Sequence, residues 1–262
     1  MDERIQKGLV SVVIPTYNAS VFVREAIESV LRQTYSLFEI IIVDDESNDG
    51  TSEIVRSYGD RVCYYEKKHE GVSVARNFGV VHARGEFIAF LDADDTWEKD
   101  KLEKQVLLFS DENVGLIYTD MEFFGEAFRY RLFSEMAHGM WVGDVISRLL
   151  RGNFIGTSSV VVRRTVFEGV GGFPRGVAIG EDYRTWLRIS LESKIQAVKE
   201  PLVRYRMHGN QASKDKKKSY RALIDMYFSL LRNRDFAAYW PLIFVKYLEY
   251  KTKLFVAKFL LQ

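Results

Sequence analysis

The sequence predicts an α/β fold, in which helices cover both faces of a largely parallel sheet. Three segments, 9–14, 38–45 and 86–92, contain apolar runs, and the first two are rich in β-branched residues, which is typical of strands buried on both faces. Amphipathic segments of helical period lie between them, and the connections are short. With 262 residues, of which 47% are hydrophobic and 28% charged, the chain is large enough to bury a substantial core.

Strands and helices alternate through the first 110 residues. Ser20 is of the residue type that caps helices, so we expect it to begin the first one. In order, the pattern predicts a strand at 9–14, a helix at 21–33, a strand at 38–45, a helix at 51–58, a strand at 62–66, a helix at 72–83 and a strand at 86–92.

The alternation is weaker beyond residue 110. Gly152 is a helix stop signal, and the carboxylates of Glu181 and Asp182 suit the positive N-terminal end of a helix. The predicted elements are a strand at 113–124, a helix at 141–152, a strand at 158–164, a helix at 181–190 and one or two strands within 194–209.

The net charge of +1 conceals an uneven distribution. Residues 201–262 contain 13 Lys and Arg against 4 Asp and Glu, whereas the rest of the chain contains 24 against 32. An acidic body therefore carries a basic tail. The charged N-terminus and the lack of a membrane-length apolar run predict a cytoplasmic protein. Cys63 is the single cysteine, expected to be buried on a strand, and it excludes an intramolecular disulfide.

Polar residues follow three of the predicted strands. They are Pro15–Asn18 after the first, Asp44 and Asp45 after the second, and 92–95 after the fourth. Ligands of doubly wound sheets bind outside the carboxyl ends of the strands. The sequence therefore predicts a ligand site at this rim.

The segment 90–95, FLDADD, places three carboxylates directly behind an apolar run. Asp92, Asp94 and Asp95 suit a hard divalent cation such as Mg²⁺ or Mn²⁺, which prefers oxygen ligands and takes its remaining ligands from phosphates and water. The alternative is a solvated acidic turn that ends the strand, with Asp94 or Asp95 capping the next helix. Both interpretations remain open at this point.

The segment 44–51, DDESNDGT, superficially resembles a calcium loop. Its twelfth position is Arg56 instead of the required glutamate, which excludes an EF-hand. Asp45 is expected instead to point into the ligand crevice and to accept a hydrogen bond from a base. The chain has no P-loop and no G-x-G-x-x-G after the first strand, so those modes of phosphate binding are not supported.

Four further polar residues are candidates, each with a structural alternative. Arg76, on a helix that looks buried, needs a carboxylate or a ligand as its partner. Glu181 and Asp182 provide either a general base or a helix cap. His208 is either a nitrogen ligand of a metal or a surface residue.

Seven segments in this order make the chain similar to a known family. They are VSVVIPTYN, IIVDDESNDGT, GVSVARNFGVVHARGEFIAFLDADD, GTSSVVVRR, GGFP, GEDYRTWLR and YRMHGNQAS. Together they resemble the family 2 glycosyltransferases, which are inverting, nucleotide-sugar-dependent enzymes of the GT-A fold. The resemblance covers about residues 9–213. It implies a Rossmann-like, doubly wound mixed sheet flanked by helices, with a C-terminal helical extension.

The resemblance also implies a role for each matching residue. The implied nucleotide-binding residues are Pro15, Thr16, Tyr17, Asn18, Asp45, Arg76, Asp92 and Ala93, with Arg76 closing the base pocket. The implied metal ligands are Asp94 and His208, with Asp95 as a competing ligand for Mn²⁺ or Mg²⁺. Asp182, with Glu181 beside it, matches the catalytic base, and Trp186 would shape the acceptor or donor-sugar site.

The resemblance implies transfer of one sugar from a nucleotide-diphosphate sugar, a UDP-sugar first of all, to a carbohydrate or lipid-linked acceptor. The implied division is a nucleotide-binding half at 1–110 and an acceptor half at 111–213. Processive relatives carry a Q-x-x-R-W motif, which YRTWLR replaces here. Glu46 departs from the usual glycine. Rival interpretations are a sugar-nucleotide nucleotidyltransferase and an inactive nucleotide-binding module, and no nucleic-acid partner is expected.

Residues 214–262 are expected to form a basic amphipathic helical tail. Such a tail could lie on an anionic membrane surface, on the inner face of the membrane, which would suit a lipid-linked acceptor. The alternative is a helix packed on the catalytic domain or on a second subunit in a homo-oligomer. The aromatic residues expected to anchor the tail at a membrane are Trp240, Tyr247, Phe255 and Phe259.

Overall fold

A computed structural model describes residues 5–126, 129–177, 179–209 and 215–259. Its centre is one mixed sheet of eight strands in the order β3-β2-β1-β4-β7-β6-β8-β5. The strands are β1 (Gln6–Thr16), β2 (Phe38–Asp44), β3 (Cys63–Glu66), β4 (Gly85–Phe90), β5 (Thr96–Trp97), β6 (Val114–Gly125), β7 (Val161–Arg163) and β8 (Lys194–Met207). The predicted α/β class and mixed sheet are confirmed.

Helices cover both faces of this sheet. Those before residue 110 are α1 (Val23–Leu31), α2 (Thr51–Arg56), α3 (Val72–His82) and α4 (Lys101–Val106). Those after it are α5 (Phe133–Met136), α6 (Ile146–Leu149), α7 (Arg164–Gly169), α8 (Glu181–Glu192), α9 (Lys216–Leu230) and α10 (Trp240–Phe259).

The first four strands run parallel, in the doubly wound order that the alternating pattern predicts. β1 lies between β2 and β4, and β3 pairs with the outer edge of β2. The register aligns Thr16 with Asp44, and Asp44 with Glu66. The carboxyl ends of three strands therefore meet at one rim, because aligned parallel strands end on the same side.

The second half of the sheet is mixed. β7 is antiparallel to both β4 and β6, while β8 runs parallel to β6 along almost its whole length. A single strand, β8, therefore covers the segment 194–209 up to Met207. Two-faced burial explains the continuous apolar segments of β1 and β4, since a hydrophobic cluster packs on each side of the sheet.

Three local predictions are wrong. Ser20 does not cap α1: its N–H donates to Asp49 Oδ2 (2.9 Å), and the helix begins at Val23 without a side-chain cap. The predicted helix 141–152 is reduced to the single turn of α6. Gly143 exchanges two backbone hydrogen bonds with Ile195, which holds the preceding chain as an isolated bridge to β8. Cys63 is also exposed, contrary to the prediction that it is buried.

The last two helices form an antiparallel hairpin against the body. Tyr227 on α9 lies 3.1 Å from the hydroxyl of Tyr183 on α8, and its ring stacks on Tyr250 of α10 at 5.6 Å. Tyr247, predicted as a surface anchor, packs instead toward Phe228 of α9. The side chain of Phe259 lies outside the described residues. Within the described ranges, no helix is both long and apolar enough to cross a membrane.

Candidate active site

The turn after β4 places its three carboxylates in three different environments. Asp94 Oδ2 lies 2.9 Å from His208 Nε2, and Asp92 Oδ1 accepts a hydrogen bond from Arg76 (2.5 Å). Asp95 is buried, and its two oxygens accept from the Ser158 hydroxyl (2.6 Å) and the Arg206 N–H (3.0 Å). The expectation that Asp94 or Asp95 caps α4 is wrong, because Asp100 occupies that position.

Burial and mutual repulsion dominate the electrostatics of this turn. Burial, followed by the charges of Asp94 and Asp92, raises the pKa of Asp95 well above its usual value. Burial and the Asp92 charge also raise the pKa of Asp94, against the opposing hydrogen bond of His208. A cation at Asp94 would relieve this repulsion.

The residues present fit a divalent cation held in part by its substrate. Asp94 keeps about 30% of its side chain exposed and faces an imidazole, so an oxygen and a nitrogen ligand are available together. Asp95 is the poorer candidate, because both of its oxygens already accept hydrogen bonds. Among the described residues no group of three or more His, Cys, Asp or Glu could hold a metal, so diphosphate and water would supply the remaining ligands.

His208 is oriented by residues that the sequence did not single out. Phe22, next to the start of α1, lies 5.1 Å from the imidazole ring. Arg206 donates from Nε to the Asp94 carbonyl (2.9 Å) and from a guanidinium nitrogen to Glu25 (2.6 Å). The end of β8 is therefore fastened to residues 92–95, the DADD turn, and to α1, which brings His208 to Asp94.

Arg76 joins the two acidic segments of the site. The residue is 3% exposed, and its guanidinium donates to Asp92 (2.5 Å) and to Glu181 (2.8 Å). Burial alone would lower the pKa of Arg76, but the charges of Asp92 and Glu181 raise it above its ordinary value. The expected carboxylate partner is confirmed. Arg76 thus lies between the turn 92–95 and α8, and its implied role of closing the base pocket stays a prediction.

Asp182 lies in the first turn of α8, which follows Gly180 in the left-handed conformation (φ 78°). Its Oδ1 accepts the Tyr183 N–H at 2.6 Å. Burial, followed by the Glu181 charge, raises the pKa of Asp182 from 3.8 to about 7, with Tyr183 N–H, Arg76 and Thr157 opposing the rise. A carboxylate with a pKa near neutrality is suited to general base catalysis.

Two neighbours of Asp182 were missed in the sequence. Thr157 donates its hydroxyl to Asp182 Oδ2 (3.2 Å), and Asn153 Nδ2 lies 3.4 Å from the same oxygen. Thr157 belongs to the GTSSVVVRR segment, so its motif was visible but its partner, 25 residues away, was not. Asn153 had no sequence signal.

Asp45 is buried and saturated with hydrogen bonds. Its Oδ1 accepts from Lys67 Nζ (2.8 Å) and the Glu70 N–H (3.0 Å), and its Oδ2 from the Gly71 N–H (2.8 Å), with His69 Nδ1 at 2.9 Å. Burial alone would raise the pKa of Asp45, but these donors outweigh it and lower the pKa. A carboxylate has about four acceptor positions, so none is open here to a base.

The segment 67–71, held by Asp45, carries an aromatic side chain to the rim. The ring of His69 lies 4.3 Å from that of Tyr17, and each side chain is about half exposed. Asn18 is tied to the neighbouring loop: its Oδ1 accepts from the Asn48 N–H at 2.9 Å. Pro15 and Thr16 are buried beneath Tyr17, and Ala93 is buried beside Asp92.

Glu46 has a backbone conformation that favours glycine, the residue that the family resemblance implies at this position. Its φ is 71°, in the left-handed region, and its side chain accepts the His69 N–H at 3.1 Å. The left-handed conformation costs a residue with a Cβ about 1–2 kcal/mol. This chain accepts that cost at a residue whose carboxylate helps to hold the segment 67–71.

We expect Glu46→Gly to be more stable than Glu46→Ala by about 1 kcal/mol. Both variants lose the hydrogen bond to the His69 N–H, but only alanine keeps the left-handed strain. Urea unfolding of the two variants measures the difference. Equal stability, or an advantage for alanine, would show that Glu46 is not held in this conformation.

Trp186 does not reach the crevice. It is fully buried, its ring lies 5.7 Å from Phe173, and its indole nitrogen has no hydrogen-bond partner among the described residues. It therefore has no surface to offer a sugar in this structure. We propose that Trp186 packs α8 against the hydrophobic core and does not contact the acceptor or the donor sugar.

A family model described as Glycosyl transferase family 2 matches residues 11–171. The chain belongs to this family. WfgD of Escherichia coli, described as a UDP-Glc:alpha-D-GlcNAc-diphosphoundecaprenol beta-1,3-glucosyltransferase, is 31% identical over 232 residues, which are 86% of this chain and 87% of WfgD. Uncharacterized glycosyltransferases of Rickettsia felis and Rickettsia conorii are 36% and 35% identical, and this chain spans about a third of their length.

Two solved structures share the fold of this family 2 glycosyltransferase. S. aureus TarS, residues 1–349 with UDP, superposes with a TM-score of 0.71 at 19% identity, covering 91% of this chain and 70% of TarS. The mannosyltransferase PcManGT of Pyrobaculum calidifontis, solved with GDP-Man and Mn²⁺, gives 0.69 at 19% identity, covering 91% and 68%. The implied GT-A fold is confirmed.

Proposed function

We propose that this family 2 glycosyltransferase moves one sugar from a UDP-sugar to an acceptor hydroxyl with inversion, in cell-surface polysaccharide or glycolipid synthesis. The observation that carries the proposal is the position of Arg76, which joins Asp92 at the DADD turn to Glu181, next to Asp182. The buried guanidinium of Arg76 thus connects the candidate diphosphate site to the residue beside the candidate base. We also propose that 1–110 bind the nucleotide and 111–213 the acceptor.

In the proposed reaction Asp182 is the general base. It takes the proton of the acceptor hydroxyl as that oxygen attacks the anomeric carbon from the face opposite the diphosphate. The bond between the anomeric carbon and the diphosphate oxygen breaks, and its electron pair leaves with the nucleoside diphosphate. Glu181 keeps its hydrogen bond to Arg76, so its proposed role is to position that guanidinium instead of acting as a second base.

Asp94 and His208 would hold the divalent cation. When bound, Mn²⁺ or Mg²⁺ would act as a Lewis acid that stabilises negative charge on the leaving diphosphate. The Mn²⁺ bound with GDP-Man in PcManGT supports a metal-dependent site on this fold. Asp95 would shape the turn through Ser158 and Arg206.

The donor and acceptor classes follow by similarity to relatives. The name of WfgD states that its donor is UDP-Glc and that its acceptor is linked to diphosphoundecaprenol. TarS was solved with UDP. We therefore propose a UDP-sugar and a lipid-linked saccharide for this chain. Tyr17, with the segment 67–71 that Asp45 holds, would form the base pocket.

Calorimetry tests this proposal by titrating UDP, GDP, CDP and dTDP with Mn²⁺ present and again with EDTA. We expect UDP to bind more tightly than the other nucleotides, and its binding to be lost in EDTA and in Asp94→Ala. Asp100, which pairs with Lys104 at 2.7 Å and whose side chain is 33% exposed, provides the matched control, and Asp100→Ala should bind UDP normally.

Two results would contradict the proposal. If no nucleotide binds with Mn²⁺ present, the DADD turn is a solvated turn and the transferase mechanism fails. If a nucleotide binds but turnover releases pyrophosphate, the protein is a nucleotidyltransferase. Release of free UDP that requires an acceptor would support sugar transfer.

A further inference from the structure

The helix α10 presents a predominantly apolar face to solvent. Trp240, Phe244, Val245, Leu248 and Val256 are between 39% and 60% exposed. At 3.6 residues per turn, these positions fall on one side of the helix. The opposite side packs against α9, so the exposed face is not the result of a detached helix.

This face is unlike the rest of the described surface. Of the fourteen exposed large hydrophobic side chains that the described residues contain, seven lie on α9 and α10. The others are scattered over the body, as at Val21, Val81 and Leu107. Single exposed apolar residues are ordinary, but a contiguous set on one helix indicates an interaction surface.

Charge selects the kind of partner. Residues 215–259 contain 10 Lys and Arg against 4 Asp and Glu, a net charge of +6, which leaves −5 for the remainder of the chain. Exposed Lys251 lies beside the apolar face, with its ammonium 5.1 Å from the Tyr247 ring. A second copy docked on the same face would bring two +6 hairpins together, whereas an anionic surface complements both the apolar residues and the lysines.

We propose that the apolar face of α10 lies in the headgroup layer of an anionic bilayer, with the helix parallel to the membrane plane. An aromatic and aliphatic face bordered by lysines is typical of helices that bind this way. At about 1.5 Å per residue, the helix offers a binding strip about 30 Å long. The acidic body would face away from the lipid.

The hairpin is connected directly to the candidate catalytic helix. Tyr227 of α9 hydrogen-bonds to Tyr183 of α8, the residue after Asp182, and Arg184 donates to Ser229 (3.2 Å). Membrane binding would therefore hold Asp182 close to acceptors that are anchored in lipid. This consequence rests on the proposed function, whereas the binding itself does not.

Co-sedimentation with vesicles tests the binding. We expect the full chain to bind equimolar phosphatidylglycerol and phosphatidylcholine, and to bind phosphatidylcholine alone at least about tenfold more weakly. The double variant Phe244→Glu and Leu248→Glu should lose about tenfold or more in binding to the anionic vesicles. Val81→Glu with Leu107→Glu, 68% and 71% exposed in the parent, is the matched control and should bind like the parent.

Three outcomes would overturn the proposal. The parent fails to bind anionic vesicles, or it binds both vesicle types equally, or sedimentation equilibrium shows a dimer that Phe244→Glu and Leu248→Glu dissociates, which would assign the face to a second copy. Circular dichroism and UDP calorimetry on the same variants show whether they are folded. A parent that binds UDP but no vesicles refutes the membrane surface and leaves the proposed function standing.

Discussion

Asp182→Asn is expected to lower the rate of sugar transfer by about 10²–10⁴-fold, the usual contribution of a general base. Asparagine keeps the size of the side chain but cannot accept the proton of the acceptor hydroxyl. Nucleotide binding should be unchanged, because Asp182 contacts neither Asp94 nor His208 in this structure. Release of UDP in the presence of acceptor measures the first effect, and calorimetry measures the second.

The pH dependence of kcat/KM for the parent should reveal the ionisation of Asp182. Because Asp182 must be ionised to act and its pKa is about 7, kcat/KM should fall about tenfold per pH unit below neutrality and level off above it. The charged groups beside this carboxylate are Glu181, which raises its pKa, and Arg76, which lowers it. A profile that stays flat down to pH 5 would contradict the assignment of Asp182 as the base.

Thr157→Val distinguishes titration of Asp182 from a general effect of pH. The Thr157 hydroxyl hydrogen bond lowers the pKa of Asp182, so its removal should move the acidic limb of the profile to higher pH. Thr157→Ser should restore the parent profile. If both variants lose activity without a shift of the limb, Thr157 has only a structural role.

The same substitution, Asp182→Asn, should stabilise the protein above neutral pH. The folded carboxyl has a pKa of about 7 against an ordinary value of 3.8, so the folded state holds an extra proton between those values and loses stability as the pH rises through them. At about 1.4 kcal/mol per pKa unit the cost is on the order of 4 kcal/mol at pH 8. Asparagine avoids this cost, and the difference should vanish below about pH 4.

Urea unfolding of the parent and of Asp182→Asn at pH 8 and pH 4 measures this difference. A gain in stability combined with a loss of activity would mark Asp182 as a group kept for function. If the asparagine variant is less stable than the parent at pH 8, the carboxylate is stabilised by its surroundings, and its pKa is not raised.

Arg76→Ala is expected to lower the free energy of unfolding by about 3–5 kcal/mol. The substitution leaves Asp92 and Glu181 without their shared partner, and Glu181 has only 11% of its side chain exposed. The negative charge left uncompensated on these two carboxylates costs more free energy than the lost packing on Phe173, which lies 5.3 Å from the guanidinium carbon. Urea unfolding at pH 7 provides the measurement.

Arg56 provides a matched control for Arg76. It also pairs with a carboxylate, Glu66 at 3.4 Å, but the two side chains are 62% and 56% exposed. Arg56→Ala should therefore cost less than about 1 kcal/mol. Similar losses at the two positions would mean that the Asp92–Arg76–Glu181 network is solvated and does not hold the site together.

Arg76→Lys tests whether simultaneous hydrogen bonding to Asp92 and Glu181 contributes to stability and activity beyond the positive charge. A lysine keeps the positive charge but lacks the planar fork that donates to two carboxylates at once. We expect it to fold with intermediate stability and to remain less active than the parent. Activity equal to that of the parent would show that only the charge is required.

The sequence alone was sufficient for the layered fold and for the rim where the candidate residues gather. Apolar runs identified β1, β2 and β4, because burial on both faces leaves a local pattern that β3, which is exposed or half-buried throughout, lacks. The polar residues after those strands then met at one edge, since parallel strands in register end together. The seven motifs that resembled a family led to the same position.

Only the tertiary structure decided which groups face one another. It gave Arg76 two partners, Asp92 and Glu181, the second of them 105 residues away. It also gave Asp95 two donors and Asp45 a full set of donors from other segments. It also buried Trp186 completely. Such pairings depend on contacts between segments distant in sequence. Local periodicity cannot predict them, because it indicates only which face of a helix or strand a residue occupies. For that reason the sequence predicted where the site lies, and the folded chain determined the environment of each carboxylate.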